Sequence, residues 1–143
     1  MATGEAGGRC QRRRPLVCRT GARLAIRLLE GAHQLSAPDF LLVEMSNVVW
    51  KLRRRQQLSA DSAVSALRDL EHSDIRYAPT VPLLPRARAI AEALDHAVYD
   101  CLYLAVAEAA RAPVVTADRR LYDRASAGGW RDHVLWIEDL PAP

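Results

Sequence analysis

The stretch from Ala97 to Tyr122 most constrains the fold, because it combines two buried elements with a carboxylate near each end. Residues 98–110 are apolar on nearly every side, which is typical of a helix inside a domain. Pro113 marks a break, since proline cannot continue a helix and restricts the residue before it. The β-branched run Val114–Thr116 then predicts a short strand that is covered on both faces.

Two aspartates flank this apolar unit. Asp100 falls in the first turn of the predicted helix, and Asp118 comes just after the predicted strand. Ligands of open α/β sheets bind beyond the carboxyl ends of the strands, so sequence order alone places Asp118 at such a position. Each residue also has a structural interpretation. Asp100 can complement the helix dipole and pair with His96, and Asp118 can cap a turn.

The alternation of elements along the chain indicates the fold class. Strands are predicted at 33–37, 74–78, 114–116 and 134–137, and helices from 22 to a cap at 31, at 38–54, from 59, at 82–94, at 98–110 and at 121–127. Strands that alternate with helices imply a parallel sheet with helices on both faces. We therefore expect an α/β fold.

The first 21 residues differ from the rest of the chain. They are rich in arginine and glycine and show neither a helical nor a strand period. The only strand candidate there is Pro15–Cys18. We expect this segment to be poorly ordered, with a weak strand at most, and to precede a single domain over residues 22–140.

Composition narrows the class of protein further. The 143 residues are half hydrophobic, which suits one domain of ordinary size. The net charge of +3 is compatible with an acidic partner such as RNA. The three cysteines are odd in number and lack metal-type spacing, so we predict a reducing, cytoplasmic setting. No stretch reaches the ~20 apolar residues of a membrane span.

A third carboxylate, Glu44, lies within the predicted helix 38–54. None of the residues three or four positions away is cationic, so no helical ion pair accounts for it. One interpretation is a boundary carboxylate that reaches water. Together with Asp100 and Asp118, however, it would form a cluster of acids that repel one another unless a cation joins them. Mg²⁺ and Mn²⁺ prefer such oxygen clusters, and they can activate water and stabilise charge on a phosphodiester.

Three stretches of the sequence resemble the motifs of one known family, the PIN domains of the VapC toxin type. They are Ala37–Glu44 with Asn47, Val98–Ala105, which overlaps the pattern YDxxYLAxAE, and Val115–Asp118. The resemblance extends over about residues 22–137. It implies a three-layer α/β/α sandwich around a mostly parallel sheet, RNA cleavage with Mg²⁺ or Mn²⁺, a homodimer, and a cognate antitoxin as partner.

Carried over to this sequence, the resemblance makes Glu44, Asp100 and Asp118 the catalytic, metal-binding acids. It gives Thr116 a supporting part through hydrogen bonding, and Asn47 a similar one. Arginines near the mouth of the site, such as Arg119 and Arg120, are candidates for phosphate contacts, with a solvated surface as the alternative for each. The four histidines, at positions 33, 72, 96 and 133, are interpreted as structural or exposed.

The sequence departs from the family at one place. Members begin with a strand that ends in a metal-binding aspartate, but no aspartate precedes Asp39 here. Counting back from the first helix places the missing acid near Cys10, and the first strand is in doubt. Two functions therefore stay open: a metal-dependent ribonuclease, or a catalytically impaired protein that binds antitoxin or RNA. A small-molecule-binding α/β domain is disfavoured, since no glycine-rich phosphate loop follows a strand.

Overall fold

Helices and strands alternate along the chain. The computed structural model describes residues 14–18 and 33–140. The elements are β1 (Arg14–Cys18), β2 (His33–Pro38), α1 (Phe40–Arg54), α2 (Ala60–Glu71), β3 (Ile75–Ala78), α3 (Thr80–Leu94), α4 (Val98–Ala110), β4 (Val114–Thr116), α5 (Arg119–Ala127) and β5 (Val134–Trp136), with short 3₁₀ turns at Arg131–His133 and Ile137–Asp139. The helix predicted from residue 22 to a cap at 31 lies outside the described residues.

The five strands form one parallel sheet in the order β3-β2-β1-β4-β5. Leu16 of β1 is in register with Leu35 of β2, and Val17 with Val114 of β4. Successive strands thus extend outward in two directions from β1. This is the arrangement of a doubly wound sheet, and it confirms the predicted α/β class.

The strand candidate Pro15–Cys18 is confirmed as β1, but the expectation that this strand would be weak is wrong. β1 is the central strand of the sheet, and Leu16 and Val17 are fully buried. A short apolar run suffices for a strand that is paired on both sides. Its arginine-rich flanks show no strand period, so the sequence pattern did not indicate its importance. Because β1 ends at Cys18, the position beyond the first strand is Arg19, not a residue near Cys10. Arg19 and the remaining residues of the 1–21 segment lie outside the described part, so its predicted disorder and the boundary at 22 stay predictions.

Helix α4 forms the centre of the core. Its residues 100–107 are all buried, and it packs against α3 and against strands β1 and β2. Side chains of β1 alternate between the two faces of the sheet. Val17 packs into the large core that contains α4, while Leu16 packs with Leu35 and Val115 in a smaller cluster. The all-round apolar character of this helix is therefore explained by burial.

The ends of the helices agree with the sequence signals to within a few residues. Helix α4 covers the predicted residues 98–110, and Arg111 follows it with a φ of 50°. Ser59 caps α2, its hydroxyl accepting from the backbone N–H of Ser62 at 3.1 Å. Helix α1 begins at Phe40 because Pro38 completes β2. Within residues 14–18 and 33–140, no helix has both the length and the apolarity needed to cross a bilayer.

Candidate active site

Asp118 is fixed at the carboxyl end of β4. The fully buried hydroxyl of Thr116 accepts from the Asp118 backbone N–H at 3.0 Å. The Asp118 carboxylate in turn accepts through Oδ1 from the backbone N–H of Leu121 at 3.1 Å, and so caps α5. The capping interpretation of Asp118 is therefore confirmed, and the same contacts hold its carboxylate at the edge of the sheet.

Asp100 lies in the first turn of α4 and is only 5% exposed. Its Oδ2 atom is 2.8 Å from Nε2 of His96, four residues earlier. The side chain of His96 is likewise 5% exposed. Nδ1 of this ring is buried and has no hydrogen-bond partner among the residues that the structure describes. The expected pairing of Asp100 with His96 is confirmed.

These elements bring three side chains together. Each offers one potential ligand atom, and these three atoms, from His96, Asp100 and Asp118, lie within 4.8 Å of one another. They line an open cavity of about 770 Å³, to which Arg88 and Arg120 also contribute. Glu92 and Asp95 line it as well. Four carboxylates and an imidazole thus share this space with two guanidinium groups, and the cavity could hold a cation and an anionic ligand side by side.

Glu44 contacts α4 through a tyrosine. Its carboxylate accepts a hydrogen bond from the hydroxyl of Tyr103, which follows Asp100 by three residues on the same helix. Glu44 is not one of the three residues whose ligand atoms lie within 4.8 Å of one another. Its predicted part in metal binding stays a prediction.

The remaining candidates divide into two groups. Arg120 lines the cavity, whereas Arg119 pairs with Asp123 at 2.9 Å and lies over the rings of Tyr122 and Trp136. Arg119 is thus engaged in local packing, and Arg120 is the better placed of the two for a phosphate. Asn47 is exposed on α1, one turn after Glu44.

His96 lies beside both aspartates. It was interpreted as a structural or exposed histidine that could pair with Asp100, and its nearness to Asp118 was not predicted. A signal was present in the sequence, since the i, i+4 spacing to Asp100 puts both side chains on one helical face when the helix begins nearby. The histidine precedes the helix, however, and only the fold brings Asp118 to it.

The three side chains suit a divalent cation. Atoms that bind an octahedral ion side by side at about 2.1 Å lie about 3.0 Å apart, and opposite ligands about 4.2 Å apart. The 2.8 Å between Nε2 of His96 and Oδ2 of Asp100 is close to the first spacing, and the ligand atoms of all three residues lie within 4.8 Å of one another. Carboxylate oxygens suit Mg²⁺ and Mn²⁺, and an imidazole adds affinity for transition metals.

The position of the cluster within the fold is typical of a ligand site. The strand order reverses at β1, so the connections leave β1 and β4 toward opposite sides. The carboxyl ends of two such strands border a crevice in which doubly wound proteins bind ligands. Asp118 follows β4 directly, and α4, which carries Asp100, packs against β1.

Comparison with known proteins agrees with this architecture. Residues 19–127 match the PIN domain family. The chain is 33% identical over 101 residues to the VapC ribonuclease Mb0985 of Mycobacterium bovis and, equally, to ribonuclease VapC9 of Mycobacterium tuberculosis. That alignment covers 71% of this chain and 78% of each relative.

A solved structure gives the same fold. The crystal structure of PAE2754 from Pyrobaculum aerophilum superposes with a TM-score of 0.67 at 21% identity, over 88% of this chain and 90% of that one. The doubly wound sheet with two aspartates at its switch point defines an α/β domain with a candidate ligand site in the usual place. The chain belongs to the PIN domain family and is of the VapC type.

Proposed function

We propose that this protein is a metal-dependent endoribonuclease, the toxin of a toxin–antitoxin pair. One observation carries the proposal: Asp100 on α4 and Asp118 after β4, which belong to different elements, meet in one cavity together with two arginines. The ribonuclease relatives support the reaction class. A mildly basic chain, with a net charge of +3, is compatible with an RNA substrate.

Each residue then has a chemical role. Asp100 and Asp118 hold Mg²⁺ or Mn²⁺, and a bound ion of this kind activates water and stabilises charge on a phosphodiester. Thr116 fixes the Asp118 backbone, so the carboxylate is positioned before any ligand arrives. Arg88 and Arg120 bind phosphate oxygens of the RNA from the wall of the cavity.

Glu44 and Asn47 belong to the edge of the site in this proposal. Glu44 is held by Tyr103 next to the turn of α4 that carries Asp100. Its role is to add negative charge near the cation, and Asn47, one turn further on α1, contacts the RNA or a water. Neither residue is required to touch the ion that the two aspartates hold.

The protein partners follow from the surface. Val43 and Trp50 on α1 and Val64 on α2 are large apolar side chains that are more than half exposed. Helices α1 and α2 pack against each other, so these side chains lie on one helical pair. We assign this pair to contacts with a cognate antitoxin or with a second copy in a homodimer, in the cytoplasm.

The activity is tested by incubating the purified protein with mixed RNA in Mn²⁺ or Mg²⁺, with EDTA as the metal-free condition. Cleavage is expected only with metal. Asp100→Asn and Asp118→Asn should each lower the rate by about a hundredfold or more, since loss of a ligand costs at least as much as loss of its supporting contacts. Asp132→Asn, which changes an exposed aspartate outside the cavity, is the matched control.

A second function has its own observation in favour. The sequence carries Arg19, not an acid, directly after β1, so the family's first-strand aspartate is missing. An impaired protein would bind RNA or antitoxin without cleaving. A folded wild-type chain that retains RNA but leaves it intact in Mn²⁺ would favour this alternative, and Arg19→Asp should then restore cleavage.

A further inference from the structure

We propose that His96 is a nitrogen ligand of the metal ion in this cavity, so that the site combines an imidazole with two carboxylates and prefers Mn²⁺ to Mg²⁺. The inference rests on the proposed function, because it names the ligands of the same site. It makes the histidine a binding residue that the chain uses in the absence of a first-strand aspartate.

The spacing of the ligand atoms carries the first step. Nε2 of His96 lies 2.8 Å from Oδ2 of Asp100, and one atom of Asp118 is within 4.8 Å of both residues' ligand atoms. Adjacent ligands of an octahedral ion are about 3.0 Å apart. Nε2 of His96 therefore lies at a distance from the aspartates that suits a third protein ligand of the same ion.

Burial carries the second step. The His96 side chain is only 5% exposed, and its Nδ1 atom has no hydrogen-bond partner within residues 14–18 and 33–140. Nε2 is therefore the one ring nitrogen with a partner in this part of the chain, and it is directed at Asp100 on the wall of the cavity that Asp118 also lines. A buried ring is held in one orientation, so this nitrogen stays beside the two carboxylates.

The backbone that carries His96 is fixed in advance. Nη1 of Arg124 donates to the Asp95 carboxylate and to the carbonyl of Leu94, each at 2.8 Å. The backbone N–H of His96 donates to the carbonyl of Ala91 at 3.1 Å. The link between α3 and α4 is thus anchored to α5, the helix that Asp118 caps. A site whose supporting contacts are already made loses little entropy on binding its ion.

The competing explanation is an ion pair between His96 and Asp100 that has no part in metal binding. Both explanations use the same 2.8 Å contact, but they predict different metal preferences. Imidazole nitrogen suits transition metals better than Mg²⁺, whereas an all-carboxylate site suits Mg²⁺ and Mn²⁺ alike. If the ring only pairs with Asp100, it competes with the ion, and removing it should strengthen metal binding.

The test is pulsed electron paramagnetic resonance of Mn²⁺ bound to the full chain, combined with titration calorimetry of Mn²⁺ and Mg²⁺. The wild type should show the nuclear modulation of a directly bound imidazole ¹⁴N. His96→Gln should abolish that modulation and weaken Mn²⁺ binding about tenfold or more. His72→Gln, which changes an exposed histidine at the end of α2, is the control and should alter neither. His96→Asp should raise Mg²⁺ affinity relative to Mn²⁺.

Each result decides between the explanations. Mn²⁺ binding that depends on Asp100 but shows no ¹⁴N modulation would overturn the role of His96 and leave the proposed metal-dependent function standing. Unchanged or tighter Mn²⁺ binding by folded His96→Gln would do the same. A folded wild-type chain that binds neither ion would overturn both the inference and the proposed function.

Discussion

The hydroxyl group of Tyr103 donates a hydrogen bond to the carboxylate of Glu44, and so joins α4 to α1 across 59 residues of sequence. Tyr103 is fully buried, while Glu44 is partly accessible. The contact joins the Glu44 carboxylate to a residue of α4 that follows Asp100 by one helical turn. It is a link that no helical period in the sequence indicates, because it joins two separate elements.

Replacement of Tyr103 by phenylalanine tests this link. The variant keeps the ring but removes the donor to a carboxylate, and we expect the free energy of unfolding to fall by about 1.5–3 kcal/mol. Urea denaturation measures the change. Tyr99→Phe removes a hydroxyl from an exposed position on the same helix and should have little effect. Equal losses in the two variants would mean that the bond to Glu44 adds nothing to stability.

Glu108 makes stability depend on pH. Its carboxylate accepts from Nε and Nη2 of Arg86, both at 2.7 Å, and from Nε1 of Trp130 at 2.9 Å. These contacts, with that of Arg86 the strongest, lower the pKa of Glu108 below its ordinary 4.5. A carboxylate whose pKa is lower in the folded state stabilises the fold above the unfolded-state pKa, and that contribution is lost as pH falls through the folded-state pKa.

We therefore expect Glu108→Gln to lower the free energy of unfolding at neutral pH and to differ less from the wild type as the medium becomes more acidic than pH ~4. Denaturant titrations at several pH values measure this difference. Glu71→Gln, at the exposed end of α2, provides the comparison. A difference that grows on acidification would contradict the assignment.

Thr116 links stability to metal binding. Its hydroxyl accepts from the Asp118 backbone N–H, so Thr116→Val leaves a buried donor without that partner. We expect a loss of about 1–3 kcal/mol in unfolding free energy and weaker Mn²⁺ binding. Thr116→Ser keeps the hydroxyl and should retain Mn²⁺ affinity even where it loses stability. A serine variant that binds Mn²⁺ as poorly as the valine variant would show that the methyl group, not the hydroxyl, positions Asp118.

Two adjacent glycines after α5 are required for different reasons. A Cβ at Gly128 would lie 2.2 Å from Cδ2 of Leu94 and 3.0 Å from the carbonyl oxygen of Arg124. Gly129 has open space but a φ of +92°. We expect Gly128→Ala to cost about 1–3 kcal/mol through overpacking, and Gly129→Ala about 1 kcal/mol through backbone strain. Thermal unfolding distinguishes the two variants. Adding Leu94→Ala should reduce the destabilisation caused by Gly128→Ala, because it removes the clashing side chain, but not that caused by Gly129→Ala.

Local sequence signals predicted most of the fold. Some elements are determined by a few neighbouring residues. They are the apolar helix α4, the β-branched strand β4 and the serine-capped start of α2. The strand candidate Pro15–Cys18 was named, but its central place in the sheet was not predicted, because its burial comes from partners on both sides, β2 and β4, and not from any pattern of its own.

The site divides in the same way. Asp100 and Asp118 could be chosen from their places at the start of a helix and the end of a strand. The contact of Glu44 with Tyr103 and the approach of His96 to Asp118 could not, because each depends on how separate elements pack together. Side-chain contacts between elements distant in sequence are set by tertiary structure.

The central position of β1 also governs when the protein can assemble during synthesis. Val17 pairs with Val114, so the middle of the sheet joins segments that leave the ribosome nearly a hundred residues apart. Until β4 has emerged, β1 has a neighbour on one side only, and its other edge remains open. Asp118 emerges just after β4, so a nascent chain closes the second edge of β1 and brings its two aspartates together in the same late step, and only β5 is added afterwards.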